Sequence, residues 1–596
     1  MNASQHLFKK AAGSNLLVIV VLVILAALIA LPHIMRYWQL GNKYTILFFD
    51  NPTANQLNWE ETYTYATQVN RIKNNQPIND PYIFEYRDKP SPLISELAPS
   101  LLLGIAAKLF SVPFVFVLVK IILIPIVVLI WYLIAREIGY SKTSSAAAAI
   151  MGVILQKTYA YIPYINKFYN YHFNGYFEIQ RIYFPLISSF SISLTILLVI
   201  KLMKADIGLF KKILAGLLFG SLFYTYFFAW TLFWTSFAFL VVTLLFKKQY
   251  KIAKRLIIPF VAAALVAAPY FINLFLFSQN PAREAFILRT IAFPISDWNL
   301  LVIIRFLILI SVLIITNRSW LKVPARYYLI IFLVSALFLS PLSKLALGAD
   351  YQSDHWYERF LYPLSTFLFT LVVFDIMAKF KPKLLSSLAF ILIFVCLSKV
   401  IFVTVGELGR DMKNFRIGPA REDLYAWMLP NIPKDSVIAT LSFTESVYIT
   451  AYTPFYSYLP QAYKTIAPES DLLTRYVNLV RIYGADESFI KQTFIMPNAY
   501  YADKKSIVSK DGNGFMMLEG IATHFDPFPY PQHKNIQNEI IKMSKNKIKL
   551  AGRIDYLLFG PLERENAKSF DKNHCKILYS NGLYQVYEFK SCQIDS

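Results

Sequence analysis

The chain has 596 residues, of which 56% are hydrophobic, 16% aromatic and only 16% charged, with a formal net charge of +22. Soluble domains carry nearer a quarter charged residues, and here the apolar residues come in blocks about as long as a bilayer-crossing helix, which excludes an ordinary soluble fold. The positive surplus sits mostly in short loops between those blocks, where membrane topology accounts for it, so no nucleic-acid partner is expected.

In chain order, Lys9-Lys10 precede an apolar run over 15–35. It is too long for a signal-peptide core and lacks a small-residue cleavage site, so it reads as a retained anchor helix. Further spans are expected over 113–135, 143–156, 183–203, 213–229, 230–246, 256–278, 299–316, 327–341, 359–378 and 384–405, about eleven in all. The connectors "REIGYSK", "KADIGLFKK", "KKQYKIAKR", "NRSWLKVPAR" and "KFKPK" are basic, and those between them are not. By the positive-inside rule the N-terminus and the basic loops are cytoplasmic, and the protein is a multi-pass plasma-membrane protein. Segments 36–112, 157–182, 279–298, 342–358 and everything after 405 then lie outside. Residues 91–110, "SPLISELAPSLLLGIAAKLF", would reverse that scheme if they spanned. Pro99, Glu96 and Lys108 mark them instead as interfacial or re-entrant.

The fold expected is an α-helical polytopic membrane domain over 1–405, including the first external loop 36–112, followed by an extracytoplasmic α/β domain over 406–596. In the latter, "SVIATLSF" and "RIDYLLF" read as strands and "REDLYAWML" as a helix. "KILYSNGLYQVYEF" reads as a hairpin turning at Asn581-Gly582. Cys575 and Cys592 flank the hairpin about four residues out of cross-strand register, which leaves a disulfide open. Cys396 lies in an apolar run, and with no Cys/His cluster a structural zinc site is not expected.

Two external motifs carry candidate chemistry. "NWEETYTYATQVNRI", 58–72, puts Glu60 and Glu61 at a helix start. Asn58 as N-cap with Glu61 three residues on makes a capping box, and acidic residues suit a helix N-terminus. The same carboxylates, at a membrane surface, could instead act as a base. The second motif, "YIFEYRDKPSP", 82–92, carries Glu85, Arg87, Asp88 and Lys89 before two prolines. Its plain reading is a solvated loop leading into the interfacial segment.

Taken together, the acidic helix start, the charged proline turn and the apolar segment just after the first span resemble the GT-C superfamily of membrane glycosyltransferases. That class includes protein O-mannosyltransferases, aminoarabinose transferases and the catalytic subunit of oligosaccharyltransferase. The resemblance is one of layout over roughly residues 1–405. It implies that the first-loop acidic pair is a catalytic base or metal ligand, and that "YRDKPSP" stands where several families have a Lys-Pro-Pro element. The usual Asp of the pair is Glu60 here, so Glu60, Glu61 and nearby Asp50 all stay open as the working carboxylate. A divalent cation is the cofactor this layout would allow. The tryptophan-rich acceptor motif of oligosaccharyltransferase is absent.

In the same class an Arg opens a late helix in an Arg-aromatic-Leu-x-Pro context, and Arg359-Phe360-Leu361-Tyr362-Pro363 fits it. A guanidinium there could hold a lipid phosphate bidentately, or be an interfacial Arg at a helix end. "EIQRIYFPLISSF" places Glu178 and Arg181 similarly, and the aromatic pair of segments over 222–234 reads as packing or as the floor of a sugar site. Lys120, Arg305 and Lys399 lie inside spans at similar depth, about 10 Å from the external end. They either converge on a carrier phosphate or snorkel separately.

The reading is a glycosyltransferase that moves a sugar from a polyprenyl-phosphate carrier to an outer-face glycan, lipid or protein acceptor. Glu60 or Glu61 is the base, Asp88 assists, and Arg359 neutralises the leaving phosphate. The alternative is a transporter or flippase of lipid-linked glycans. That would put its carboxylates near the midplane rather than at the outer surface, and no inverted repeat supports it.

Overall fold

The computed structural model describes the chain except residues 1–2, 46–64, 93–95, 174–178, 180, 291–299, 349, 351, 353, 411–414, 461, 463–464, 494–516, 518–529, 547–548, 568–569, 571–573 and 593–596. Among the described residues eight helices are long and apolar enough to cross a membrane: Leu16–Leu40, Val112–Glu137, Pro185–Lys204, Phe227–Phe246, Tyr250–Ser278, Pro324–Ala346, Asp354–Phe380 and Pro382–Leu408. The protein is thus a multi-pass helical membrane protein. The remaining expected spans also fall on helices, but shorter ones: Lys142–Ile154 and Leu209–Ser221 have 13 residues each and Leu300–Thr316 has 17. The interfacial segment forms the helix Leu97–Ala107 of 11 residues. At 1.5 Å per residue that is about 16 Å, well short of a hydrocarbon core of about 30 Å.

The chain forms two compact units. One comprises Met1–Trp38, Val117–Tyr270 and Ile295–Arg410, and the other Gln39–Phe116, Phe271–Pro294 and Asp411–Ser596.

In the first unit small residues set the close helix contacts. Lys142–Ile154 buries the run Ala146–Ala149 and packs against the helices Tyr362–Phe380 and Leu385–Leu408. A Cβ added at Gly152 would meet Phe367 Cβ at 3.0 Å. Gly216 and Gly220, spaced as in a small-xxx-small motif, seat Leu209–Ser221 against Tyr250–Ser278. A Cβ at Gly216 would come within 2.6 Å of Ala262 Cβ, and one at Gly220 within 2.5 Å of Val266 Cβ. At the C-terminal end of Asp354–Phe380, Asp375 accepts from the Tyr140 hydroxyl at 2.8 Å, Asn317 at 3.3 Å and Trp320 Nε1 at 3.4 Å. That carboxylate ties two connections together, the one through Tyr140 and the one through Asn317 and Trp320.

The second unit is built on a five-stranded mixed sheet, β1 (Val437–Ala439), β2 (Tyr456–Ser457), β3 (Tyr556–Phe559), β4 (Ile577–Ser580) and β5 (Gln585–Glu588), in the order β2-β1-β3-β5-β4. β1 pairs in parallel with β2 and β3, while β3–β5 and β5–β4 are antiparallel. The predicted strands and hairpin are all present, and β2 was not foreseen. Cys575 and Cys592 are joined, with Cα atoms 4.3 Å apart. A register shift in β4 and the 3-10 turn Phe589–Ser591 take up the offset that the sequence spacing left unexplained.

First-loop residues belong to this unit's core. Tyr82 and Ile83 are buried in its apolar cluster. Buried Arg71 donates to Pro81 O, Phe455 O and Gln76 Oε1 and lies 3.7 Å over the Tyr456 ring. Buried Asp80 accepts from the amides of Tyr82 and Ile83 at 3.1 Å, from Ile466 at 3.0 Å, and from the Thr465 hydroxyl. Burial holds its carboxyl above the ordinary aspartate range even so. Arg475 bridges Glu85 and Asp471 at 2.8 and 2.9 Å.

Candidate functional site

Two arginines come together in the first unit, each for the same local reason. Arg181 stands four residues before Pro185, and Arg359 four before Pro363. Proline offers no N–H and its ring crowds the carbonyl four residues back. The backbone responds with π-helical turns, over Ile182–Ile187 and Tyr357–Leu361. In the first, the Leu186 amide reaches five residues back to Arg181 O at 3.0 Å. Such turns recur at functional sites, and here each one presents an arginine at the N-terminal end of a membrane-length helix, where the helix dipole is positive.

The two guanidiniums share a neighbourhood around Tyr226. Arg359 lies 5.7 Å from the Tyr226 ring centroid. Arg181 is pulled down from the ordinary arginine range to about 9, first by burial and then by the charge of Arg359, with Tyr226 and Glu358 acting the other way. His355 joins them: its Nδ1 is 2.7 Å from the Tyr226 hydroxyl and its Nε2 3.2 Å from Arg359 Nη2. Phe228 meets the imidazole edge-on at 4.8 Å, and Trp356 Nε1 donates to Thr231 at 3.1 Å. Glu358, next to Arg359, is held by buried Lys157 at 3.0 Å. Two positive groups thus lie within electrostatic reach of each other and of Tyr226, an arrangement that favours an anion near both.

The short helix Thr158–Tyr161 holds a third candidate cation, Arg305, and pairs with a histidine that feels a fourth, Lys399. Arg305 Nη1 donates to Ala160 O at 3.5 Å, Nη2 donates to the Tyr164 hydroxyl, and the guanidinium lies 4.4 Å from the Tyr164 ring centroid. The Tyr159 hydroxyl in turn donates to Arg305 O at 2.8 Å. Thr158 Oγ1 pairs with His172 Nε2 at 3.0 Å, and His172 is held below the ordinary histidine range by burial and by the charge of Lys399. Lys399 is itself buried in Leu385–Leu408. Lys157, one residue before this helix, reaches Glu358 as above. Buried Lys120 has a different described neighbour, His33, which also feels Arg36. Arg36 and Arg410 both pair with Glu407, at 3.4 and 2.8 Å.

Of the first-loop carboxylates, Glu60, Glu61 and Asp50 lie outside the described residues, as does Glu178. The described part of the loop helix is Thr67–Lys73. Asp88 pairs with Arg87 at 3.3 Å, its side chain 67% exposed. Among the described residues no group of three or more His, Cys, Asp or Glu side chains is placed to hold a metal ion. His355, Lys157 and Tyr226 were not foreseen. The signal for the arginine pair was present as the repeated pattern "RIYFP" and "RFLYP".

These features define a multi-pass membrane protein with a paired-arginine site at two helix N-termini. No protein-family model and no curated protein matches the sequence. Among solved structures the chain is similar to the crystal structure of the Archaeoglobus fulgidus oligosaccharyltransferase in complex with zinc and sulfate. The identity is 12% and the TM-score 0.41, over 90% of this chain and 67% of that chain. A likeness of that depth does not carry activity or residue roles across.

Proposed function

We propose that the protein is a GT-C-type glycosyltransferase that takes a sugar from a polyprenyl-phosphate carrier and gives it to an acceptor on the extracytoplasmic face. The observation that carries this reading is the pairing of Arg181 and Arg359 around Tyr226, two half-buried like charges whose proximity makes sense with a phosphate between them. A prenyl tail reaches such a site from the bilayer, and an anion leaving water needs cationic partners. Glu60 or Glu61 takes the proton of the acceptor hydroxyl as general base, with Asp88 helping to orient the acceptor. The acceptor oxygen attacks the anomeric carbon as the carbon–phosphate-oxygen bond breaks, and the electron pair leaves with the carrier phosphate. Arg359 and Arg181 stabilise that charge. Arg305 and Lys399, around Thr158–Tyr161, add positive potential nearby. A single displacement inverts the anomeric centre.

The test is photolabelling with a benzophenone-bearing polyprenyl phosphate. Label in the peptides around 181–187 and 355–362, competed by unlabelled carrier phosphate, supports the reading. Label confined to other helices refutes it.

A further inference from the structure

The cluster contains a histidine that the reaction above does not use. His355 lies one turn before Arg359 and bridges it to Tyr226 through its two ring nitrogens. A guanidinium offers donors and no acceptor. The lone pair of Nε2 must therefore receive the Arg359 N–H, and the neutral ring carries its hydrogen on Nδ1, donating to the Tyr226 oxygen. A proton on Nε2 would take that lone pair away and set an imidazolium against a guanidinium. We infer that His355 is a positioning residue for Arg359 that works only as the neutral Nδ1–H tautomer, so that capture of the anionic carrier weakens as His355 takes up a proton. The inference rests on the donor reading above.

The charges around His355 fit this role. Arg359, 3.2 Å from Nε2, opposes a further positive charge at this place. Glu358, on the same turn, is engaged by Lys157 at 3.0 Å, and Asp350 by buried Lys344 at 2.9 Å. Asp354, within electrostatic reach of Glu358, Arg359 and Asp350, works the other way and favours protonation. From the helix Phe227–Phe246 and its cap the imidazole meets the Tyr226 hydroxyl and the apolar edge of Phe228. The site thus holds one imidazole between an obligate donor and a phenol.

The experiment measures binding of a prenyl phosphodiester, farnesyl methyl phosphate, to the full-length chain in detergent between about pH 5 and 8, the range in which histidine switches charge. A diester is used because the second ionisation of a phosphate monoester, near 6, would titrate in the same window. Wild-type affinity should fall about tenfold per pH unit below the histidine transition, which for an unperturbed side chain is near 6.5. In His355→Gln the amide oxygen accepts from Arg359 and does not titrate. This variant should bind at neutral pH and lose the pH dependence, whereas His355→Ala should bind more weakly at every pH. A His355→Gln variant with the wild-type slope overturns the inference, and so does wild-type binding that is flat with pH. Absence of wild-type binding at any pH overturns the donor reading, and this inference with it.

Discussion

Replacing Arg359 separates a phosphate-binding arginine from one that only anchors a helix end. Arg359→Met keeps the aliphatic stem of the side chain and removes the charge and the fork, whose central carbon lies 5.7 Å from the Tyr226 ring centroid. A hydrogen bond to a charged group is worth about 1.5–3 kcal/mol, and a phosphate held by one arginine instead of two loses one such set. Taking one such bond and about 1.4 kcal/mol per factor of ten, donor kcat/KM should fall roughly 10- to 150-fold. Arg359→Lys restores the charge without the bidentate geometry and should recover only part of that loss. Apo stability should move differently. Arg181 is held down partly by the charge of Arg359, so Arg359→Met relieves a like-charge contact and should leave thermal stability unchanged or raised, as at sites where function is kept at the expense of stability. Transfer is assayed with purified protein and a radiolabelled polyprenyl-phosphate sugar, alongside thermal unfolding of the same samples. Activity within threefold of wild type, or a lowered melting temperature with unchanged activity, would refute the phosphate role.

Other outcomes follow from the same structure. Of Glu60→Gln and Glu61→Gln, one should lose roughly 10²- to 10⁴-fold in rate without loss of stability, since Gln still serves a capping box; full activity in both leaves only the cap. A cysteine at position 249 should resist a membrane-impermeant thiol reagent in intact cells and one at 510 should react, and the reverse pattern would invert the topology. Burial raises the carboxyl of Asp80, so the folded state binds its proton more tightly than the unfolded chain. Stability from this group is therefore full below the ordinary aspartate value, about 3.9, and declines as pH rises through the raised one. Asp80→Asn should flatten that limb of melting temperature against pH, while buried Glu563 at the start of the helix Pro561–Asn566, whose carboxyl burial also raises, leaves a remainder of the same sign; an unaltered slope counts against it. Cys575 and Cys592 close a loop with a sequence separation of 17, worth about 3 kcal/mol by chain entropy. Cys575→Ser or reduction should lower the melting temperature, and equal values for oxidised and reduced chain would contradict this.

The spans were legible because hydropathy over a helix length is a property of contiguous residues, and so were the hairpin and the longer strands. β2 has only two residues, Tyr456 and Ser457, too few for any alternation to show, and it exists because β1 offers it a parallel partner. Lys120, Arg305 and Lys399 are expected at similar depth from their place in the spans, but depth gives no azimuth. Which helices are neighbours is decided by packing, and packing puts Arg305 beside Thr158–Tyr161 while Lys120 comes within electrostatic reach of His33. The arginine pair is the instructive case, because its two halves are far apart in sequence yet locally alike. In each, a proline four residues on denies the arginine's carbonyl its usual helical partner, and the turn widens at the mouth of a long helix. A cation placed at such a turn gains the positive end of the helix dipole as a second source of potential, which makes it a poor place for an arginine that merely stabilises the fold and a good one for an arginine that must meet an anion. Two copies of that device within electrostatic reach of one tyrosine are what the shared anionic ligand proposed above requires, and two independent helix ends would not require it.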